Sequence, residues 1–504
     1  MEQEKPIINV LMVAFASQGH INPMLRLGKQ LQTKSNIHVT LATTEIFHHR
    51  LLKQNHQSVT TTSTTTTAIS NDTVSISGID FIFFSDGFSL DYDRKSNLDT
   101  YMYTLANVGP TNLYNLIISL YSNKIKPKKF SCIIIAPFVP WVSKVGAQLG
   151  IPCAMLWIQP CTLFSIYYSF YNNLNDFPTK ENPNLSVKLP NLPLLETCDL
   201  PSFVLPTNNL LSMNDTLSQE MKNVDNIKWV LANTFYELEK DVIDYMTKFV
   251  VIKAVGPLIS PKLLLGEEHG HDNDDHVGIN LWKPDENCID WLNKNEPNSV
   301  IYVSFGSLIM LSREQMEVIS KALINCKRPF LWVVKDEDYL VGESVGQISK
   351  GFLDEIKDKG KIVKWCPQDK VLLHQSVGCF LTHCGWNSML ETLSCGVPII
   401  AYPLWTDQPT NAKLMTEVFG IGLRLRPNKD GLVGFDEIVK CIEEVMDGPR
   451  SAEIRAKAVE WKRAARDAVA RGGESDRNIQ DFVDDIVEIS KNLEYNLDKE
   501  LVSL

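Results

Sequence analysis

The amino-acid sequence predicts an α/β protein of two doubly wound, Rossmann-like domains facing a cleft. Short runs rich in Val, Ile and Phe alternate with amphipathic stretches twice along the chain, once from Ile7 and again from Ser299. Most of these runs are apolar throughout, as strands covered by helices on both faces require. A length of 504 residues exceeds one ordinary core and suits two domains of about 200 to 250 residues each.

In the first series the runs are INVLMVAFA, HVTLATT, GIDFIFFS, CIIIA and CAMLWI, with PMLRLGKQLQ and PWVSKVGAQLG as helical stretches between them. Asn22 before Pro23 reads as an N-cap and first helical position, and Met24, Leu25, Leu27, Gly28 and Leu31 mark one helical face. The low-complexity run VTTTSTTTTA reads as a surface insertion in a loop, and Gly256 to Trp282 as an exposed linker. SVIYVSFGS opens the second series, followed by a helix around REQMEVISKAL, then PFLWVV, KIVKW, CFLTH, a helix after CGWNS, and VPIIAYP. Beyond residue 450 the pattern turns helical, with segments expected to pack back across the domains. The expected boundaries are 1–250 for an N-terminal acceptor-binding domain, 251–288 for a linker, 289–475 for a C-terminal donor-binding domain, and 476–504 for a returning helix.

Composition excludes several classes. With 44% hydrophobic and 22% charged residues the chain is globular, not disordered or fibrous. A formal charge of −11 leaves no global footprint for nucleic acid or an anionic membrane. The run from Ile7 to Ala16 is too short for a membrane span and has no cleavage site behind it. Eleven scattered cysteines with no CxxC pair suit a reducing cytoplasm better than a disulfide framework.

Chemistry concentrates between Trp365 and Gln408, WCPQDKVLLHQSVGCFLTHCGWNSMLETLSCGVPIIAYPLWTDQ. Here a strand, CFLTH, runs through a glycine turn into a helix opening near Asn387 or Ser388. Free backbone N–H groups and the positive end of a helix dipole suit a phosphate there. His383, Asn387 and Ser388 add donors, and Glu391, one helical turn on, can accept from the vicinal hydroxyls of a ribose. Asp407 beside Gln408 offers paired acceptors and a donor to adjacent sugar hydroxyls.

These 44 positions resemble the signature box of the plant small-molecule (family 1) UDP-glycosyltransferases, beginning with Trp, carrying HCGWNS and ending in DQ. FASQGHINPML resembles that family's N-terminal catalytic loop, SFGS its C-domain opening, and GGESDRNIQDFV its C-terminal helix. The resemblance implies a GT-B fold and inverting transfer, with UDP-glucose as co-substrate, since a terminal Gln in the box goes with glucose, and with neither cofactor nor metal. It further implies that Trp365 stacks on uracil while Gln368 and the Cys366 backbone contact the uridine. Ser307, His383, Asn387 and Ser388 would hold the diphosphate, Glu391 the ribose, and Asp407 with Gln408 the sugar. Gly19, Gly385 and Trp386 complete the expected donor set. Phe88, Phe138, Trp141, Gln159 and Trp405 are expected to line the acceptor pocket.

In this family the histidine on the loop between the first strand and the first helix, here His20, is the base that takes the acceptor's proton. A neutral imidazole of pKa about 6.5 can do so at pH 7. Relatives orient it with an aspartate at the position that Ala136 holds here. Alanine cannot accept a hydrogen bond, so the usual dyad is missing. A phenol of pKa about 10 needs a competent base, whereas a carboxylic acid of pKa about 4 is already an anion at pH 7. The neighbourhood APFVPWV…PCAMLWIQPC resembles the subgroup that forms glucose esters of aromatic acids. The expected reaction is therefore glucose transfer to a small aromatic acid, with phenol O-glucosylation as the alternative and Asp86 as a candidate replacement partner for His20. Non-catalytic binding of a UDP-sugar is the remote alternative.

The histidine-bearing linker and the acidic triplets at 91–93 and 272–274 are read as solvated loops, not metal sites. A nicotinamide dehydrogenase is disfavoured because ASQGHINP lacks the glycine fingerprint. No coiled-coil or interaction segment stands out, so a monomer is expected.

Overall fold

The computed structural model describes residues 7–57, 67–69, 74–123, 127–265, 277–280, 282, 284–306, 311–334, 355–356 and 359–502. Its first sheet contains β1 (Ile8–Val13), β2 (Ile37–Thr44), β3 (Thr67–Ile69), β4 (Val74–Ile76) and β5 (Ile79–Phe84). It continues with β6 (Phe130–Ile135), β7 (Cys153–Trp157), β8 (Trp229–Ala232) and β9 (Ile252–Ala254). Their spatial order is β3-β4-β5-β2-β1-β6-β7-β8-β9. All pairings are parallel except β3 with β4 and β4 with β5. The second sheet holds β10 (Val300–Ser304), β11 (Phe330–Val333), β12 (Gly360–Val363), β13 (Val377–Thr382), β14 (Ile399–Ala401) and β15 (Gly422–Arg424). All its pairings are parallel, in the order β12-β11-β10-β13-β14-β15.

Both sheets are doubly wound, as the uninterrupted apolar runs require; β6, β10 and β13 are buried along their whole length. In each sheet the strand order reverses beside the first strand, between β1 and β6 and between β10 and β13. Such switch points open crevices at the carboxyl ends of the strands, where ligands bind. His20 follows β1, Pro137 and Phe138 follow β6, and His383 follows β13. The topology thus sets the sequence-predicted residues around two crevices.

Of the helices, α1 (Gln18–Lys34), α2 (Leu98–Tyr121), α3 (Val142–Leu149), α4 (Cys161–Tyr171) and α5 (Leu211–Lys222) lie in the first half. In the second half α6 (Trp386–Cys395), α7 (Gln408–Lys413) and α8 (Ser451–Val469) pack around the second sheet. The last helix, α9 (Glu474–Val502), returns to the first domain. There Ile479, Phe482, Val483 and Ile486 are buried with Val10, Met12 and Trp229 in one core cluster. Trp229 Nε1 donates to Asp485 at 2.8 Å and Asn478 Nδ2 to the Ala254 carbonyl at 2.9 Å.

Several expectations need correction. Helix α1 begins at Gln18, ahead of Asn22, so His20 sits in a first helical turn and not on a loop. Asn22 is no cap: its side chain pairs with the backbone of Ile279 in both directions, at 3.1 and 2.8 Å. The linker is not simply exposed, since Leu258, Leu263, Val277 and Ile279 are buried. Arg26, itself buried, donates to the carbonyls of Leu258 and Val277 at 3.0 and 3.3 Å and thereby fixes both sides of it. The first sheet runs past residue 250 to Ala254. Most of the VTTTSTTTTA run and the linker between 266 and 276, including the acidic triplet at 272–274, lie outside the described residues; Thr67 and Ala68 at the end of the threonine run belong to β3.

Candidate active site

His20 lies in the crevice of the first sheet. Its imidazole is half-buried between the rings of Phe15 and Phe138, at centroid distances of 5.7 and 5.3 Å. Burial lowers its pKa to about 4, opposed by the backbone carbonyl of Pro137. At neutral pH the ring is therefore uncharged. Nδ1 is buried and makes no hydrogen bond of good geometry, so Pro137 is the polar group that favours its protonated form.

Position 136 supplies no carboxylate, and the candidate Asp86 does not pair with His20. Ala136 is fully buried in the apolar cluster of β1, α1 and β6, with its N–H on the Val13 carbonyl at 2.9 Å. Asp86 is taken by Arg94, which grips both carboxylate oxygens at 2.7 and 2.9 Å. Both side chains are buried, so Asp86 is committed to this pair and not to His20.

Across the crevice, α6 starts at Trp386 with Gly385 as its N-cap, a residue earlier than its sequence signals suggested. The His383 ring lies tightly between Gly306 and Gly385; a Cβ on either would stand 2.5 Å from Nε2. Only glycine allows this approach. Ser307 lies outside the described residues. Asn387 donates from Nδ2 to the carbonyl of Gly19 at 3.1 Å, so the donor box touches the residue next to His20. That contact has a local cause. A helix pairs the carbonyl of Gly19 with the N–H of residue 23, but residue 23 is proline and has none. Pro23 leaves the Gly19 carbonyl open, and the other domain fills it.

Gln368 links the segment after β12 to α6. Its Oε1 accepts from Tyr302 at 3.0 Å, while Nε2 donates to Ser388 at 3.0 Å and to Glu391 at 2.8 Å. Glu391 also faces Arg26 of α1 at 3.8 Å, and burial raises its pKa. Cys366 is buried with its sulfur 3.3 Å from the Tyr302 hydroxyl. Trp365 is half-buried, its ring tilted 4.7 Å from that of Trp282. Sequence reasoning missed Arg26 and Trp282, one read as part of an ordinary helix and the other as linker.

The sugar end is held from within. Asp407 accepts from Thr406 and Asn411, each at 2.7 Å, and burial raises its pKa. Gln408 Oε1 accepts the N–H groups of Leu404 and Trp405, at 3.0 and 3.1 Å. This loop is clasped to the first domain: Thr406 N–H donates to the Ser202 hydroxyl at 3.0 Å, and Ser202 N–H to the Thr406 carbonyl at 2.9 Å.

Two predicted tryptophans are structural. Trp386 is buried and donates from Nε1 to the Asn233 carbonyl at 2.8 Å. Trp141 is buried against Phe84 and Gly109 in the first core. Phe138 stands over His20, Gln159 is half-buried, and Trp405 is partly exposed beside Phe203. Phe88 stacks on Tyr92 at 4.0 Å. Among the described residues no group of His, Cys, Asp and Glu could hold a metal ion, and no helix is long and apolar enough to cross a membrane.

The family described as UDP-glucoronosyl and UDP-glucosyl transferase matches residues 278–452. A limonoid UDP-glucosyltransferase from Citrus unshiu is 40% identical, the alignment covering 98% of this chain and 94% of that one. A gallate 1-beta-glucosyltransferase from Punica granatum is also 40% identical, over 95% and 89% of the two chains. The crystal structure of Os79 from O. sativa in complex with UDP superposes with a TM-score of 0.78 at 30% identity, covering 95% of this chain and all of that one.

Proposed function

Because the chain belongs to the UDP-glycosyltransferase family, with the two Rossmann-like domains of a GT-B enzyme, we propose that it transfers glucose from UDP-glucose to the carboxylate of a small aromatic acid, giving a β-glucose ester. The observation that carries the acid acceptor is that no carboxylate pairs with His20 among the described residues: Ala136 is buried in an apolar cluster and Asp86 is locked to Arg94. A relative named for transfer to gallate supports the same class.

In this reading the diphosphate lies at the start of α6, among its backbone N–H groups, His383, Asn387 and Ser388, with Ser307 completing the set. Tyr302, Gln368, Glu391 and Trp365 receive the uridine, and Asp407 with Gln408 the glucose hydroxyls. The acceptor enters from the side of Phe15, Phe88 and Phe138. Its carboxylate oxygen attacks the anomeric carbon as the bond from that carbon to the UDP oxygen breaks, with inversion. At neutral pH the acid is already its carboxylate and needs no base, so His20, neutral in the free enzyme, holds the attacking oxygen by a hydrogen bond from its ring N–H. A phenol instead needs His20 to remove its proton unaided. The protein would act as a monomer in the cytoplasm, a setting that suits its eleven unpaired cysteines.

The test is UDP release from UDP-glucose with benzoate- or indole-type acids beside phenols of similar size, followed by mild hydroxylamine. Hydroxylamine-labile products formed mainly from the acids are expected. Stable products from phenols alone would overturn the acid reading. His20→Ala should lower transfer to a phenol about 100-fold or more while leaving UDP affinity nearly unchanged; equal loss of both would contradict its role.

A further inference from the structure

Glu220 is buried in the first domain, 2% exposed, and none of the interactions above uses it. It projects from α5, and its Oε1 accepts the N–H of Phe138 at 2.6 Å. Oε2 is buried as well and has no hydrogen-bond partner. Phe138 has a positive φ of 73°, a conformation costly for an aromatic residue unless its surroundings hold it. That turn directly follows β6 and brings the Phe138 ring onto His20.

The N–H of Phe138 and the C=O of Pro137 belong to one peptide group. A trans peptide points these two groups in opposite directions along one dipole. One end of this unit meets Glu220, and Phe138, which carries that end, sets its ring 5.3 Å from the imidazole.

We propose that Glu220 is a positioning residue for His20, acting through the Phe138 turn: it fixes the left-handed conformation that holds the Phe138 ring against the imidazole. A charged acceptor makes a stronger hydrogen bond than a neutral one, so Glu220 holds the Phe138 N–H, and with it the turn, more firmly when ionised. The family resemblance implies a carboxylate directly on the histidine; here it stands one peptide farther back. The proposal rests on the assignment of His20 to the acceptor side.

Burial raises the Glu220 carboxyl to about 8, against the opposing effect of the Phe138 N–H. The groups facing it are the hydroxyls of Tyr167 and Tyr171 on α4, both held protonated far above neutrality by burial. Near neutrality Glu220 is therefore mostly an uncharged acceptor, and it becomes a carboxylate only as pH passes 8.

The experiment compares wild type with Glu220→Leu and Glu220→Gln. The Leu variant removes the acceptor for Phe138, and its kcat should fall about tenfold, the effect of one lost hydrogen bond, with KM for UDP-glucose within about twofold. The Gln variant keeps an acceptor but cannot ionise. The ratio of wild-type to Gln kcat should be near 1 at about pH 6.5 and rise as pH passes 8; taking the ratio cancels ionisation of the acceptor substrate. A merely structural Glu220 predicts a flat ratio. A flat ratio overturns the proposal, as does an unchanged kcat in the Leu variant. If the Leu variant does not fold, the Gln ratio alone decides. Full activity of His20→Ala would instead place the failure in the His20 assignment.

Discussion

His20 shows how burial sets chemistry one residue at a time. Its folded pKa of about 4 lies below the unfolded value of about 6.5. Between these values the unfolded chain binds more protons, so the contribution of His20 to stability is fully present above pH 6.5 and is lost as pH falls toward 4. Replacing it with asparagine should flatten the acid limb of stability. Urea midpoints of both proteins at about pH 4.5 and 7 measure this, and parallel shifts in the two would exclude His20 as a source of acid sensitivity. At this scale the family was legible from the segment between Trp365 and Gln408, because its residue types and spacing are specific. The roles of Trp386 and Trp141 were not, since a tryptophan that stacks on a ligand and one that fills a core leave the same trace in sequence. Glu220 was equally hidden: only the fold brings α5 to the residue after β6.

Helix α1 is the element on which the two halves of the site converge. It carries His20, offers the Gly19 carbonyl to Asn387, and sends Arg26 toward both Glu391 and the linker. The sequence marked its buried face correctly, with Met24, Leu25, Leu27, Gly28 and Leu31 all buried, but placed its start too late. Asn22–Pro23 is a strong start signal by local rules, and tertiary contacts overrode it: Asn22 is spent on Ile279, while the missing N–H of Pro23 is useful one turn back. Pro23→Ala should restore a helical donor to the Gly19 carbonyl and compete with Asn387. The expected outcome is an unchanged or higher Tm with weaker UDP-glucose binding, read by thermal melts and by KM for the donor. A variant with unchanged KM would show that the open carbonyl is incidental.

For the whole molecule, the contacts between domains run through side chains that also build the site. Besides Asn387–Gly19 and Arg26–Glu391, Trp386 holds Asn233 and Ser202 holds the sugar-end loop. Beside that loop Asp199, buried on the first-domain side, bonds Arg424 at 2.6 Å and Lys413 at 3.2 Å, and its carbonyl accepts from Thr410 at 2.7 Å. Removing one member of a buried ion cluster leaves the others uncompensated. Asp199→Ala is expected to cost about 3 kcal/mol of stability and to raise KM for UDP-glucose as the sugar-end loop loosens; denaturant titration and donor kinetics check the two effects. A KM change without a stability change would mean that the cluster tunes the loop and does not hold the domains.

The return of α9 to the first sheet also orders events during synthesis. The first domain is translated first, and domains generally fold in that order. Yet Phe482, Val483 and Ile486, which complete the core around Val10 and Met12, leave the ribosome only after the whole second domain has been made. Until then one face of the first sheet presents apolar residues to solvent, and the nascent chain depends on chaperones, or on speed, for the time it takes to translate the second half.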